Sequence, residues 1–240
     1  VFGNCSSAVK ETTAYNHTFT LQNDAQCDSL SIHTNDGVGA LLYEMGMVDK
    51  LVINFKPEEL VKYTVSFKSK NSSTAASTPA FAVNRKFLGR QLQVKIAATT
   101  ATLTAATKLT VASASITISK NADIYNVIGS VQPTDIVNKK FTITGELELA
   151  FDDYTYMNYV LNGDYKALRL DLLNSGSTIG GSSNPEFVID LSKVDFDAWD
   201  VSYPLDDLVM QKVTFNALYD LGGNNNVVNS CVLTNTTVSY

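Results

Sequence analysis

Two histidines, three cysteines and a run of carboxylates are the side chains of this 240-residue chain that could do chemistry. Proton transfer or nucleophilic attack needs a base held beside a hydroxyl or thiol. His17 and His33 sit near no recognisable nucleophile motif, such as a Gly-x-Ser-x-Gly elbow. His33, between Ile32 and Thr34, reads as an exposed histidine on the polar side of a strand. The acids Asp195, Asp197, Asp200, Asp206 and Asp207 invite a calcium reading, since that ion takes several converging oxygens. They lack the Gly-punctuated loop of such a site, and Asp206-Asp207 recurs as Glu58-Glu59, so a polar turn opening a strand is the preferred reading. Asp152-Asp153, just ahead of an apolar run, suits a helix N-terminal cap. Cys5, Cys27 and Cys231 have no zinc spacing. They leave a Cys5–Cys27 disulfide open, with reduced thiols favoured. No Gly-rich phosphate loop occurs. The chain is expected to carry no catalytic residue, no metal site and no cofactor.

What could hold side chains in place is therefore more telling than the side chains themselves. Hydrophobic residues make up 45% of the chain and charged ones 18%, enough apolar material for real cores and too much for disorder. Few prolines and many Thr, Val, Ile, Tyr and Phe favour strands. No apolar stretch has the length of a membrane span, and no targeting segment is recognisable. The net charge of −6, with no cluster of Lys and Arg, excludes tight phosphate binding. Sequons at Asn16, Asn71 and Asn235 are expected by chance in so Asn-, Ser- and Thr-rich a chain.

The dominant feature is an internal echo at an offset of 148 positions. Glu58-Glu59-Leu60-Val61 through Val65-Ser66-Phe67 matches Asp206-Asp207-Leu208-Val209 through Val213-Thr214-Phe215, acid for acid and apolar for apolar. Asp49, Leu51, Ile53 and Phe55 match Asp197, Trp199, Val201 and Tyr203 at the same offset. Leu30, Ile32 and Asn35-Asp36-Gly37 resemble Leu168, Leu170 and Asn174-Ser175-Gly176 with one residue inserted. So long a period indicates a duplicated domain rather than a solenoid. Residues 1–70 are then the C-terminal part of a first domain, 71–92 a linker and 93–240 a second domain. Two full copies need more than the 240 residues present, so the polypeptide is expected to extend N-terminal of Val1. Phe2, Val9, Phe19 and Leu21 would otherwise lack opposing strands. Trp199, at the position of Leu51, is expected in a core.

Alternation with a period of two marks strands over Ser113–Ser119 and Phe141–Phe151, with further strands at Val61–Phe67 and Phe187–Leu191. Tyr156 to Leu161, closed by Asn162-Gly163, suits a short helix with a C-cap, and Val1-Phe2-Gly3 resembles the tail of that helix. The segment Lys70–Pro79 is a linker by composition. The fold class is mostly β: two tandem β-sandwich or barrel domains, each with a short helix, the first truncated at its N-terminus. With Ile143, Leu147 and Leu149 turned to a core, Thr142, Thr144, Glu146 and Glu148 fall on the opposite face.

These residues carry a family likeness. ITGELELAFDD (Ile143 to Asp153), ALRLDLLNSG (Ala167 to Gly176), NPEFVIDLSKVDFDAWD (Asn184 to Asp200) and LDDLVMQKVTFNALYD (Leu205 to Asp220) resemble the tail tube proteins of long-tailed bacteriophages. Ser29 to Gly37 and Asp49 to Lys70 match more loosely. The resemblance implies a structural virion protein, not an enzyme. Its sheets would join those of neighbouring copies into rings with an inner β-barrel, stacked into a tube that passes genome DNA without gripping it. On that basis Thr142, Thr144, Glu146 and Glu148 would face the lumen. Two domains per chain would let three chains fill six places, a trimer with pseudo-sixfold symmetry. Other tail proteins are the further partners, in a virion assembled in the host cytoplasm. The competing readings are a secreted or surface adhesin or binding module, and a tail-end or baseplate protein of the same fold.

Overall fold

The computed structural model describes residues 1–22, 28–75 and 85–240. Cys27, and with it the Cys5–Cys27 question, lies outside the described residues, as do residues 76–84 of the expected linker. The chain opens with a hairpin of β1 (Gly3–Glu11) and β2 (Ala14–Leu21). There follow β3 (Leu30–Asn35), the long β4 (Ala40–Phe55), β5 (Lys62–Lys68) and the two-residue β6 (Ser73–Thr74). Next come β7 (Leu92–Ala97), β8 (Lys108–Leu109), β9 (Val111–Ser119), β10 (Asp123–Tyr125), β11 (Asp135–Val137) and β12 (Thr142–Ala150). The helix α1 (Thr155–Asn162) leads into β13 (Lys166–Leu173), the long β14 (Glu186–Ser202), β15 (Met210–Leu218) and β16 (Val228–Asn235).

Fourteen of these strands form one sheet along the path β1-β2-β16-β14-β15-β12-β9-β4-β3, with β13 and β7 branching from β14 and β5 and β6 from β4. Every pairing is antiparallel. Alternation explains why such a sheet forms. In β9, Ala114, Ile116 and Ile118 are buried between half-exposed Ser113, Ser115, Thr117 and Ser119; in β12, Ile143, Leu147 and Leu149 are buried. These side chains, those of β13 (Leu168, Leu170, Leu172) and those of β14 and β16 (Ile189, Leu191, Cys231) meet in one apolar cluster. The sheet therefore folds over on itself, so that its apolar side is shared rather than exposed. The tyrosines Tyr156 and Tyr159 of α1 pack against that cluster, and Tyr159 stacks on Phe196 at 5.6 Å.

The 148-residue echo is also an echo of hydrogen-bond register. In the β4–β5 hairpin Val48 pairs with Phe67, Leu51 with Val65 and Ile53 with Tyr63. In the β14–β15 hairpin Phe196 pairs with Phe215, Trp199 with Val213 and Val201 with Gln211, each 148 positions on. Even the bulge recurs, between Val48 and Lys50 and again between Phe196 and Ala198. A bulge flips side chains to the other face, so its recurrence in both hairpins keeps residues at matching positions turned to the same side.

Several expectations are corrected by the structure. Val1-Phe2-Gly3 is not the tail of a helix: Gly3 starts β1, and α1 is the one α-helix among the described residues. Phe2 and Leu21 do not lack opposing residues, because both join the main cluster. β2 pairs with β16 and β4 with β9, so strands from before the expected linker pair directly with strands from after it. Val9, in contrast, is exposed. Trp199 does pack against the main cluster as expected, though half-buried at its margin, near Phe151 and Tyr154, with its indole N–H donating to Gln211 Oε1 at 3.1 Å. Within the expected linker, Ser73–Thr74 pair with β4, and Gly89–Gln91 make a turn of 3-10 helix.

Candidate functional site: a polar sheet face

Register places residues of six adjacent strands on one side of the sheet, opposite the core. Along β12, Thr144 stands beside Asn216 of β15 and Thr117 of β9, and Glu146 beside Thr214 and Ser115. The rows continue outward. Asn216 pairs with Asp195 of β14 and Lys212 with Asp200, while Thr117 pairs with Val52 of β4 and Val52 with Thr64 of β5. The result is a broad polar face from β14 through β15, β12, β9 and β4 to β5. Thr142, Thr144, Glu146 and Glu148 all lie on it, as alternation requires, with Thr144 exposed and the other three half-exposed.

The acids on this face are not bare. Glu146 takes an ion pair from Lys212 at 2.8 Å, and that contact holds the Lys212 ammonium above its ordinary range. Ser113 donates its hydroxyl to Glu148 at 2.7 Å. Asp197, in the bulge, accepts from Thr214 at 2.6 Å and from Asn216 at 2.8 Å. Surface pairs of this kind contribute little to stability. Their consequence here is that charge is fixed in place and partly neutralised, so the face presents a lattice of hydroxyls, amides and paired charges.

Other candidates resolve into structure. His33 is exposed on β3. His17 is fully buried, its Nε2 hydrogen-bonded to Asn235 Oδ1 at 3.0 Å and its Nδ1 to the Ser7 hydroxyl at 2.8 Å, with the Tyr240 ring 4.6 Å away. It ties β2 to the C-terminal tail, and no sequence pattern marked it. Asp207 accepts the Leu208 N–H at 2.7 Å in the turn before β15, and Asp153 accepts the Thr155 N–H at 2.8 Å at the start of α1. Gly163 closes that helix in the left-handed conformation. Among the described residues no group of three or more His, Cys, Asp or Glu could hold a metal ion. A cavity of about 550 Å³ between the start of β9 and the end of β13 is lined by residues such as Arg90, Lys108 and Ser175, with no carboxylate, imidazole or thiol.

Two further contacts carry no local sequence signal. Arg169 forms a two-pronged ion pair with Asp190, at 2.6 and 2.8 Å, across the β13–β14 ladder, and Asp190 is buried. Glu11, at the end of β1, accepts the N–H groups of Gly181, Ser182 and Ser183 and the Ser182 hydroxyl, at 2.6 to 3.1 Å. Those donors hold its carboxyl down at about 2.

A family model described as phage tail tube protein matches residues 6–217. The chain belongs to that family. Comparison with curated proteins gives no match. The family is a structural one and a component of the virion tail, in accord with a chain whose most extensive ordered feature is a sheet rather than a pocket. No helix among the described residues is long and apolar enough to cross a membrane.

Proposed function

We propose that copies of this chain associate into rings that stack as the tube of a phage tail, a conduit for genome DNA with no catalytic role. The observation that carries this reading is the repeated hairpin. One chain of the tail tube family holds two strand pairs of identical register and bulge, 148 positions apart, in one sheet. Head-to-tail contacts that close make rings, and those that do not close make filaments; a tube uses both. If each repeat occupies one place in a ring, three chains supply six places. Alternate contacts need not be identical, as Lys56 against Pro204 and Lys62 against Met210 illustrate.

In this reading the polar face lines the lumen, with Thr142, Thr144, Glu146 and Glu148 near its middle. Tight DNA binding needs clustered lysine and arginine to neutralise phosphates. Here Lys50, Lys62 and Lys212 stand among Glu146, Glu148, Asp195, Asp197 and Asp200. Such a wall lets a polyanion slide. Cryo-electron microscopy of the assembled protein tests the proposal: stacked rings of three chains with Glu146 and Glu148 on the inner wall are expected. Rings of six whole chains, with the second repeat outside the wall, would exclude the trimer; burial of these glutamates between copies would exclude the lumen assignment.

A further inference from the structure

Matching turns close the two repeated hairpins, and only one of the two is covered. In the first, Glu58-Glu59-Leu60 lies under residues 87–91, which cross it as a strap. The Val61 N–H donates to the Phe87 carbonyl at 2.9 Å, the Gly89 N–H to the Glu59 carbonyl at 2.8 Å and the Arg90 N–H to the Pro57 carbonyl at 3.1 Å. Leu88 stands opposite Leu60. The fit is close: a Cβ at Gly89 would come within 1.9 Å of the Lys56 carbonyl oxygen, so the strap needs glycine at that point. Phe55, at the base of the turn, is buried.

In the second hairpin Asp206-Asp207-Leu208 repeats the acid–acid–leucine pattern. Among the described residues no backbone bond reaches Leu205, Asp206, Asp207 or Leu208 from another segment. Leu205 and Leu208 are exposed, and Tyr203, at the position of the buried Phe55, is 67% exposed. Residues 235–239, at the offset of the strap, lie elsewhere: Asn235 bonds His17 and the Tyr240 hydroxyl.

Charge separates the two turns in the same sense. Lys62 pairs with Glu59, and its hydrogen bond and charge, followed by the charge of Lys56, hold the Glu59 carboxyl below its ordinary range. Pro204 and Met210 stand at the positions of those two lysines. Residues 194–211 contain five aspartates and no lysine or arginine. Asp152 and Asp153 adjoin the turn through Phe151, whose N–H donates to the Val209 carbonyl at 2.9 Å. Exposed apolar side chains set among carboxylates of one sign complement a partner that is both apolar and cationic.

We infer that the turn at residues 203–208 is a docking site for an extended, lysine-bearing segment of a different protein, with an apolar residue and a glycine placed as Leu88 and Gly89 are on the first turn. The first turn is the template for the backbone contacts. The groups that match those bonded by the strap are the Val209 N–H and the Asp207 and Leu205 carbonyls. The partner's lysine takes the part that Lys62 and Lys56 play beside Glu59. A second copy of this chain does not fit the role, because its own residues 87–91 are engaged on its own first turn.

The probe is a synthetic heptapeptide with the sequence of residues 85–91, Arg-Lys-Phe-Leu-Gly-Arg-Gln, titrated into the intact dispersed protein. Amide NMR shifts are expected to gather at residues 203–209, with a change in the fluorescence of Trp199, which packs on Phe151 beside the turn. Asp206→Asn combined with Asp207→Asn should weaken binding about fivefold, and added salt should weaken it too. A peptide with valine in place of its glycine should not bind. Shifts at residues 56–61 alone, or binding indifferent to the aspartates and to the glycine, overturn the site. In isolated tails, carbodiimide crosslinking is expected to join Asp206 or Asp207 to a lysine of a different protein. A crosslink to a second copy of this chain overturns the choice of partner. Neither readout depends on how many chains make a ring, so failure here leaves the ring reading standing.

Discussion

The β4–β5 and β14–β15 hairpins share sequence pattern, register and bulge, yet they occupy different surroundings. Phe215 is almost wholly buried, and Phe67, at the same place in the first hairpin, is 43% exposed. Val213 is fully buried where Val65 is half-buried. The cause is the strand outside each hairpin: β12 covers β15, whereas nothing among the described residues covers the far side of β5. Local sequence thus sets the hairpin, and neighbouring strands decide how much of it counts as core. Among the described residues, the first hairpin leaves exposed the kind of apolar surface that the second buries.

The most direct way to sharpen that comparison is to remove the same ring from both places. Phe215→Ala takes a large side chain from a closed core and is expected to cost about 3–5 kcal/mol in urea unfolding of the dispersed protein. Phe67→Ala should cost only about 1 kcal/mol in the same measurement. Equal costs would mean that β5 is covered in the free chain and would break the comparison.

The ladders on the other side of β4 and β14 differ in a second way. Arg169 faces Asp190 across β13 and β14, while at the matching register of β3 and β4 His33 faces Leu42. Arg169→Ala strands a carboxylate of 4% exposure, and about 3 kcal/mol or more of destabilisation is expected. His33→Ala should stay within about 0.5 kcal/mol. A thermal melt of Arg169→Ala that matches the parent protein would show that Asp190 finds water or another donor instead.

A smaller effect is expected at Gly145, where β12 meets Phe215. A Cβ added there would come within 2.3 Å of the Phe215 ring, with the Ser115 carbonyl at 2.8 Å. Gly145→Ala therefore forces the ring or the strand to move and is expected to cost about 1–3 kcal/mol. Partial rescue by Phe215→Leu would identify the ring as the obstacle; no rescue would place the strain in the backbone.

Much of this architecture was legible in the sequence, for definite reasons. Alternation along Ser113–Ser119 and Phe141–Phe151 named the buried faces of β9 and β12, because side-chain direction in a strand has a fixed period of two. The repeat matched the segments that the structure folds as the β4–β5 and β14–β15 hairpins, and Gly163 marked the end of α1. What stayed hidden were contacts between residues remote in sequence. His17 reaches Asn235, and Glu11 reaches the 180–183 loop, across distances that no local pattern encodes. Arg169 and Asp190 are 21 residues apart and pair only once the β13–β14 register is known. The N-terminal hairpin was misread for the same reason. Val1-Phe2-Gly3 is too short to declare a period, and its conformation is fixed by packing on the main cluster.

The gentlest probe of the difference between the repeats is the Glu11 contact, which fastens the N-terminal hairpin to the loop leading into β14. Its carboxyl is held at about 2, against an ordinary value of 4.5, first by the Ser182 hydroxyl and then by the backbone N–H groups of Ser182, Gly181 and Ser183. A carboxylate with a depressed pKa contributes stability that is present above its unfolded value and lost as pH falls through the folded one. The attachment should therefore be intact above about pH 4.5 and weaken progressively toward about pH 2. The site is open to solvent, so the effect is local: loosening of β1 and β2 rather than collapse of the sheet. Carboxyl-carbon NMR of the dispersed protein should give a Glu11 midpoint near 2, and Glu11→Gln should show at neutral pH the faster β1–β2 amide exchange that the parent shows only in acid. A midpoint near 4.5 would mean that the loop does not grip Glu11 in solution, leaving the β2–β16 ladder and the His17 contact to hold the hairpin in place.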